Sequence, residues 1–224
     1  MVKIAIVQGR LTSRVGGRYQ HFPIHAWRDE FAAAADLGLD GIEWIVSDFS
    51  NPILDDRAVD EVAALCVTHG IEVTSMSLDA LMYYPIFRLP WDDVAWLADR
   101  LGSAAKRLSV PRISIPVEEG SGLRNPDDAA NAREVLAKVL GRWDGVVEAP
   151  CIETDLSPRN VESLLAVPGL EALGLVVDLG NIAALGYRWE EYQKRFRERI
   201  FGLHVKDRRV GMGPTVPLGE GDAE

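Results

Sequence analysis

Apolar residues along this chain fall into two alternating patterns. Short apolar runs, at residues 3–7, 41–45, 71–76, 112–115, 149–153, 173–178 and 200–207, have the length of buried strands and are bounded by turn or helix signals. Between them, apolar positions return at helical spacing over residues 26–37, 56–69, 91–108, 126–140, 158–166 and 189–199. Gly38 and Gly70 stand as C-terminal stops, Asn125 stands at a capping position and Pro126 opens the next helix. Pro116 is read as the end of the fourth strand. The loop from Gly16-Gly17 to Phe22-Pro23 carries few periodic residues and suits a ligand-facing connection.

Strand and helix alternate throughout, with no linker or shift in composition, so the chain is expected to be one α/β domain over residues 1–224. An open doubly wound sheet usually carries a glycine-rich turn after its first strand, and Gln8-Gly9-Arg10-Leu11 is not that turn. A TIM-type (β/α) barrel is therefore favoured. Only seven strand–helix starts can be counted, one short of the eight-unit barrel, so the expectation is an incomplete barrel. That leaves two sheet edges to be covered by the C-terminal loop, by closure of a smaller barrel or by a homodimer contact.

Three of the late runs end on metal-ligand side chains: Glu153, Asp178 and His204. The separations are 178 − 153 = 25 and 204 − 178 = 26 positions, as successive strand–helix units produce, so the three would converge at one mouth of the barrel. Two carboxylates and a neutral imidazole suit a hard or borderline divalent ion, with Mn, Mg, Zn and Co all admissible. Lys206 lies two positions beyond His204, so strand periodicity puts both on one side of the chain. It is a candidate catalytic cation for a substrate oxyanion. Glu43, Asp79 and Asn181 are candidates for binding substrate hydroxyls, and Arg10, Arg159 and Arg208 for oxyanion contacts. Trp44, Tyr83 and Tyr84 more commonly pack than stack on a sugar.

Charge narrows the partners. A net charge of −10 and a pI near 4.9 repel a phosphate backbone, which argues against nucleic acid. Cys66 and Cys151 have no metal-like spacing and read as free thiols of a reducing cytosol. The first apolar run is too short for a signal peptide, and no stretch approaches the ~20 apolar residues of a membrane span. A cytoplasmic protein is expected.

Taken together, Gln8-Gly9-Arg10-Leu11, Gln20-His21-Phe22-Pro23, Ile42-Glu43-Trp44, Asn51-Pro52, residues 75–82, Ile152-Glu153-Thr154-Asp155-Leu156, Asp178-Leu179-Gly180-Asn181, Leu185-Gly186-Tyr187, His204-Val205-Lys206-Asp207-Arg208 and Val216-Pro217-Leu218-Gly219-Glu220-Gly221 form a pattern. It resembles the sugar phosphate isomerase/epimerase group of xylose isomerase-like TIM barrels. The resemblance implies a metal held by Glu153, Asp178 and His204, with the group's strand-eight glutamate lacking a counterpart. Asn181 stands where some members carry a substrate-binding histidine. The implied activity is isomerisation or epimerisation of a small sugar, sugar phosphate or keto-polyol. The metal polarises a carbonyl, and Glu153 removes the proton next to it to give an enediolate. Epimerisation needs a second acid on the other face, for which Glu220, Asp222 or a partner chain are the candidates. Two alternatives stand beside this: a dehydratase of a keto-inositol-like substrate on the same scaffold, and a catalytically inactive short barrel acting as an interaction protein.

Overall fold

The structure, a computed structural model, describes residues 2–13, 16 and 21–223. Gly17 and Gln20 of the first loop lie outside the described residues. Seven strands run in chain order through one sheet: β1 (Ala5–Val7), β2 (Gly41–Ile45), β3 (Glu72–Ser77), β4 (Arg112–Val117), β5 (Ala149–Thr154), β6 (Gly174–Asp178) and β7 (Ile200–His204). Helices alternate with them: α1 (Asp29–Asp36), α2 (Asp56–His69), α3 (Ala80–Tyr83), α4 (Trp91–Leu108), α5 (Pro126–Trp143), α6 (Pro158–Leu165), α7 (Leu179–Ala184) and α8 (Trp189–Phe196). This is the (β/α)-barrel order with seven strands. The chain divides into two compact units, one made of residues 1–81, 90–113 and 142–148, the other of residues 82–89, 114–141 and 149–224.

In the first unit β1, β2 and β3 pair in parallel, with Val7 opposite Glu43 and Glu43 opposite Ser75. All five residues of β2 are buried, which is why its sequence reads as an apolar run rather than an alternation. Asp55 caps α2 by accepting the backbone N–H groups of Arg57 and Ala58, and Gly70 ends it at φ 66°. Cys66 is half-buried and free, and burial raises its thiol pKa. On α4 the stripe Val94, Leu97, Leu101, Ala104 and Ala105 is buried, and the Trp143 indole donates to the Ala98 carbonyl at 2.9 Å.

The second unit holds β5, β6 and β7, paired in parallel so that Asp178 lies opposite His204. Asn125 caps α5, its side-chain oxygen accepting the Asp128 N–H at 2.9 Å. Two elements depart from expectation. β4 continues through Pro116 to Val117: a proline inside a strand removes one ladder donor without forcing the chain out of extended geometry. Beyond β7 the chain forms a small antiparallel hairpin, β8 (Asp207–Arg208) and β9 (Thr215–Val216), in a sheet of its own. Asp207 anchors it, accepting the N–H groups of Gly219 and Gly221 at 2.9 Å and of Ala223 at 3.0 Å. Those bonds, led by Ala223 and Gly221, hold its carboxyl below the usual aspartate range. No helix among the described residues is long and apolar enough to cross a membrane.

Candidate metal centre

Each of the three acid and imidazole groups sits where its strand ends. β5 carries Glu153 one residue before its end, Asp178 closes β6 and His204 closes β7. One ligand atom from each lies within 4.8 Å of the others, a span compatible with donors about 2 Å from one shared cation. The His204 Nδ1 is 3.2 Å from a Glu153 oxygen and 4.0 Å from Asp178 Oδ2. Lys206 faces the same cluster, its ammonium 2.7 Å from Asp178 Oδ2. A cation therefore already sits against the buried Asp178 carboxylate, and the donor set of two carboxylates and an imidazole fits a divalent ion.

Asp178 also shapes the chain beyond it. Its Oδ1 accepts the Asn181 N–H at 2.8 Å and so caps α7, a six-residue helix too short to announce itself by periodicity. That cap turns the Asn181 side chain toward β4, where its Nδ2 donates to Glu118 Oε2 at 3.2 Å. Arg208 Nη1 donates in turn to Asn181 Oδ1 at 2.9 Å. Glu118 escapes a sequence reading that ends the strand at Pro116, two residues before it; only the continued apolar run to Val117 signals it. It is buried, and burial together with the charges of Glu153 and Asp178 pushes its pKa up to about 9.

The sign of that shift makes a prediction for the ion-free protein. A carboxyl whose folded pKa lies above its ordinary 4.5 stabilises the fold below that value and loses the contribution as pH rises toward about 9. Chelator-treated protein is expected to melt at steadily lower temperature across that interval. The Glu118→Gln variant should show a shallower slope, and an equal slope in both would sink the assignment.

Three of the remaining candidates, Glu43, Asp79 and Arg10, lie in the first compact unit. Glu43 is buried in β2 and accepts the Ser75 hydroxyl. Asp79 is buried after β3 and accepts the Ser77 hydroxyl at 2.7 Å. Arg10 is exposed in the turn after β1. Gln8, singled out by no spacing, is fully buried there, and its side-chain oxygen accepts the Ile45 N–H at 3.3 Å. In the second unit, Arg159 is exposed in the first turn of α6, and Tyr83 and Tyr84 are exposed. Glu220 is exposed, and Asp222 accepts the Val210 N–H at 2.8 Å.

A (β/α)-barrel fold with a cluster of acids, imidazole and ammonium at its strand ends defines the class. The chain belongs to the xylose isomerase-like TIM barrel family, whose model matches residues 31–224. No curated protein matches it significantly. Among solved structures it is similar to the IolI protein with a bound zinc atom, at 16% identity and a TM-score of 0.71, over 100% of this chain and 81% of that one. It is similar to 3-keto-D-glucoside 4-epimerase YcjR from E. coli, at 14% identity and a TM-score of 0.67, over 84% of this chain and 77% of that one. It is also similar to the probable 3-DHS dehydratase AsbF from Bacillus anthracis, at 13% identity and a TM-score of 0.71, over 100% and 86%. At these identities the likeness is one of fold.

Proposed function

We propose that this protein is a divalent-metal-dependent isomerase or epimerase of a small sugar or keto-polyol. The observation that carries the reading is the convergence of Glu153, Asp178 and His204 within 4.8 Å, with Lys206 against Asp178. Glu153, Asp178 and His204 would hold the ion. When bound, such an ion polarises a substrate carbonyl and stabilises the negative charge that develops on its oxygen. Glu153 takes the proton from the adjacent carbon, its carboxylate being the less enclosed of the two acids, with 13% side-chain exposure against 4% for Asp178. Asp178 keeps the Lys206 ammonium directed into the cluster, where it stabilises the enediolate oxygens. β6 is buried at all five positions, which limits water at the Asp178 end of the cluster. In the second unit, Asn181 and Arg208 are assigned to contacts with substrate oxygens. A homodimer contact at the β7 edge, where Leu203 is exposed, belongs to the same reading.

Lys206 also supports a second reading as a dehydratase, because an ammonium at this position is placed to protonate a departing β-hydroxyl. Products separate the two. Protein purified without chelator is expected to carry about one divalent ion per chain. In D2O it should place deuterium on the carbon next to the carbonyl of D-allulose or D-fructose without loss of water. Loss of water from 3-dehydroshikimate instead would favour the dehydratase. Protein that retains no divalent ion would overturn both.

A further inference from the structure

Glu153 lies where its strand loses a neighbour. β5 pairs with β6 at Cys151, Ile152 and Glu153, and the pairing ends there. The end of a ladder holds its side chains loosely, yet a group that binds an ion and takes a proton must keep its place to within about 0.5 Å. The two residues after Glu153 supply a restraint, and both supply it toward the end of β4. The Thr154 hydroxyl donates to the Val117 carbonyl at 2.9 Å and accepts the Leu156 N–H at 3.2 Å. Asp155 Oδ2 accepts the Glu119 N–H at 3.1 Å and a second bond from Arg124 Nη2. The same Nη2 donates to the Glu119 carbonyl at 3.0 Å. One carboxylate oxygen and one guanidinium nitrogen thus close a ring around the Glu119 backbone.

The turn gripped in this way is shaped for the contact. Glu119 stands at φ 49°, in the left-handed region that a residue with a Cβ keeps only where its surroundings hold it. Gly120 lies so close to the Met82 carbonyl that a side chain there would collide with it, and a side chain at Gly122 would displace the Arg124 guanidinium. The Ser121 hydroxyl bonds the Pro116 and Glu118 carbonyls, each at 2.9 Å. Within the Arg124–Asp155 pair the acid is the enclosed member, its side chain 16% exposed against 56% for the arginine. An ion pair with one partner so open contributes little to stability, so its consequence is geometric.

We infer that Asp155 is a positioning residue for the Glu153 carboxylate: by gripping the Glu119 turn it anchors the end of β5 to the end of β4 and keeps Glu153 directed at Asp178 and His204. The inference rests on the metal-centre reading above and adds the restraint that orders one of its ligands in advance. Asp155 acts as a hydrogen-bond acceptor, so an oxygen at the Oδ2 position is what the anchor requires. Thr154 is a second anchor, one residue nearer to Glu153.

The test titrates the ion-free chain with Mn2+, followed by the loss of the free-ion EPR signal. Asp155→Ala is expected to bind Mn2+ about tenfold more weakly or worse, the effect of losing a group that orients a metal ligand. Hydrogen exchange of that variant without metal should quicken at residues 118–122 and stay unchanged in β6. Asp155→Asn keeps an acceptor for the Glu119 N–H and should recover most of the Mn2+ affinity, which a mere effect of the Asp155 charge on the ion would not allow. Arg124→Ala leaves the Asp155–Glu119 bond in place and should cost less than Asp155→Ala. If Asp155→Ala does not fold, Thr154→Val, which loses the bond to Val117, should weaken Mn2+ binding more than Asp155→Asn does, and the reverse order counts against the anchor. Unchanged Mn2+ affinity in Asp155→Ala, or Asp155→Asn as weak as Asp155→Ala, overturns the inference and leaves the metal centre standing. Failure of the unaltered chain to bind Mn2+ overturns both.

Discussion

Replacing Glu153 by glutamine is expected to cut turnover by about a thousandfold or more at saturating Mn2+, with the fold intact. Glutamine keeps the shape and one acceptor oxygen, so the cluster within 4.8 Å stays sterically complete. What it loses is the ability to accept a proton, which typically contributes about 10²–10⁴ in rate. It also removes the negative charge 3.2 Å from the His204 Nδ1, so ion affinity should weaken as well. The two effects separate experimentally: raising Mn2+ restores occupancy but not basicity. Deuterium exchange into a ketose at rising Mn2+ is the measurement. Full exchange in the variant would remove Glu153 from the chemistry and leave the cluster a structural one.

Legibility in the sequence differs from element to element. Helices at residues 56–69 and 91–108 have the bounds their periodicity implies, because capping and apolar stripe agree: Asp55 and Gly70 close one, and Trp91 to Leu108 carry the stripe of the other. The cluster of Glu153, Asp178 and His204 is legible for the same kind of reason, since each residue ends an apolar run. Local rules fail where long-range contacts decide. Pro116 looks like a terminator, yet a central strand carries the chain past it to Glu118. α7 is too short for a pattern and exists because Asp178 caps it. Nothing in the spacing of Lys206, Asn181 and Arg208 reveals that Lys206 pairs with Asp178 or that Arg208 holds Asn181. Long polar side chains choose partners in three dimensions, and a one-dimensional reading can nominate them without assigning those partners.

Trp44→Ala is expected to produce the largest loss of stability, about 3–5 kcal/mol from the emptied volume. The indole is 0% exposed in β2 and meets Phe22 at 5.2 Å and Trp27 at 5.3 Å between ring centroids. Aromatic pairs of this geometry stabilise beyond their buried area. Its Nε1 donates to Asn51 Oδ1 at 2.9 Å, and the same oxygen accepts the Ile53 N–H that starts the turn before α2. Asn51 Nδ2 returns to the Ile45 carbonyl at 2.9 Å, so removing the indole loosens β2 and the following turn together. Trp44→Phe should recover most of the loss, leaving a deficit of about 1–3 kcal/mol from the lost hydrogen bond to Asn51 and the smaller ring. Alternation along β2 points Glu43 to the opposite face from Trp44, so the packing on one face fixes where the acid on the other is held. Denaturant midpoints for the two variants supply the measurement, and a Trp44→Ala loss below about 1 kcal/mol would show that this aromatic cluster does not anchor β2.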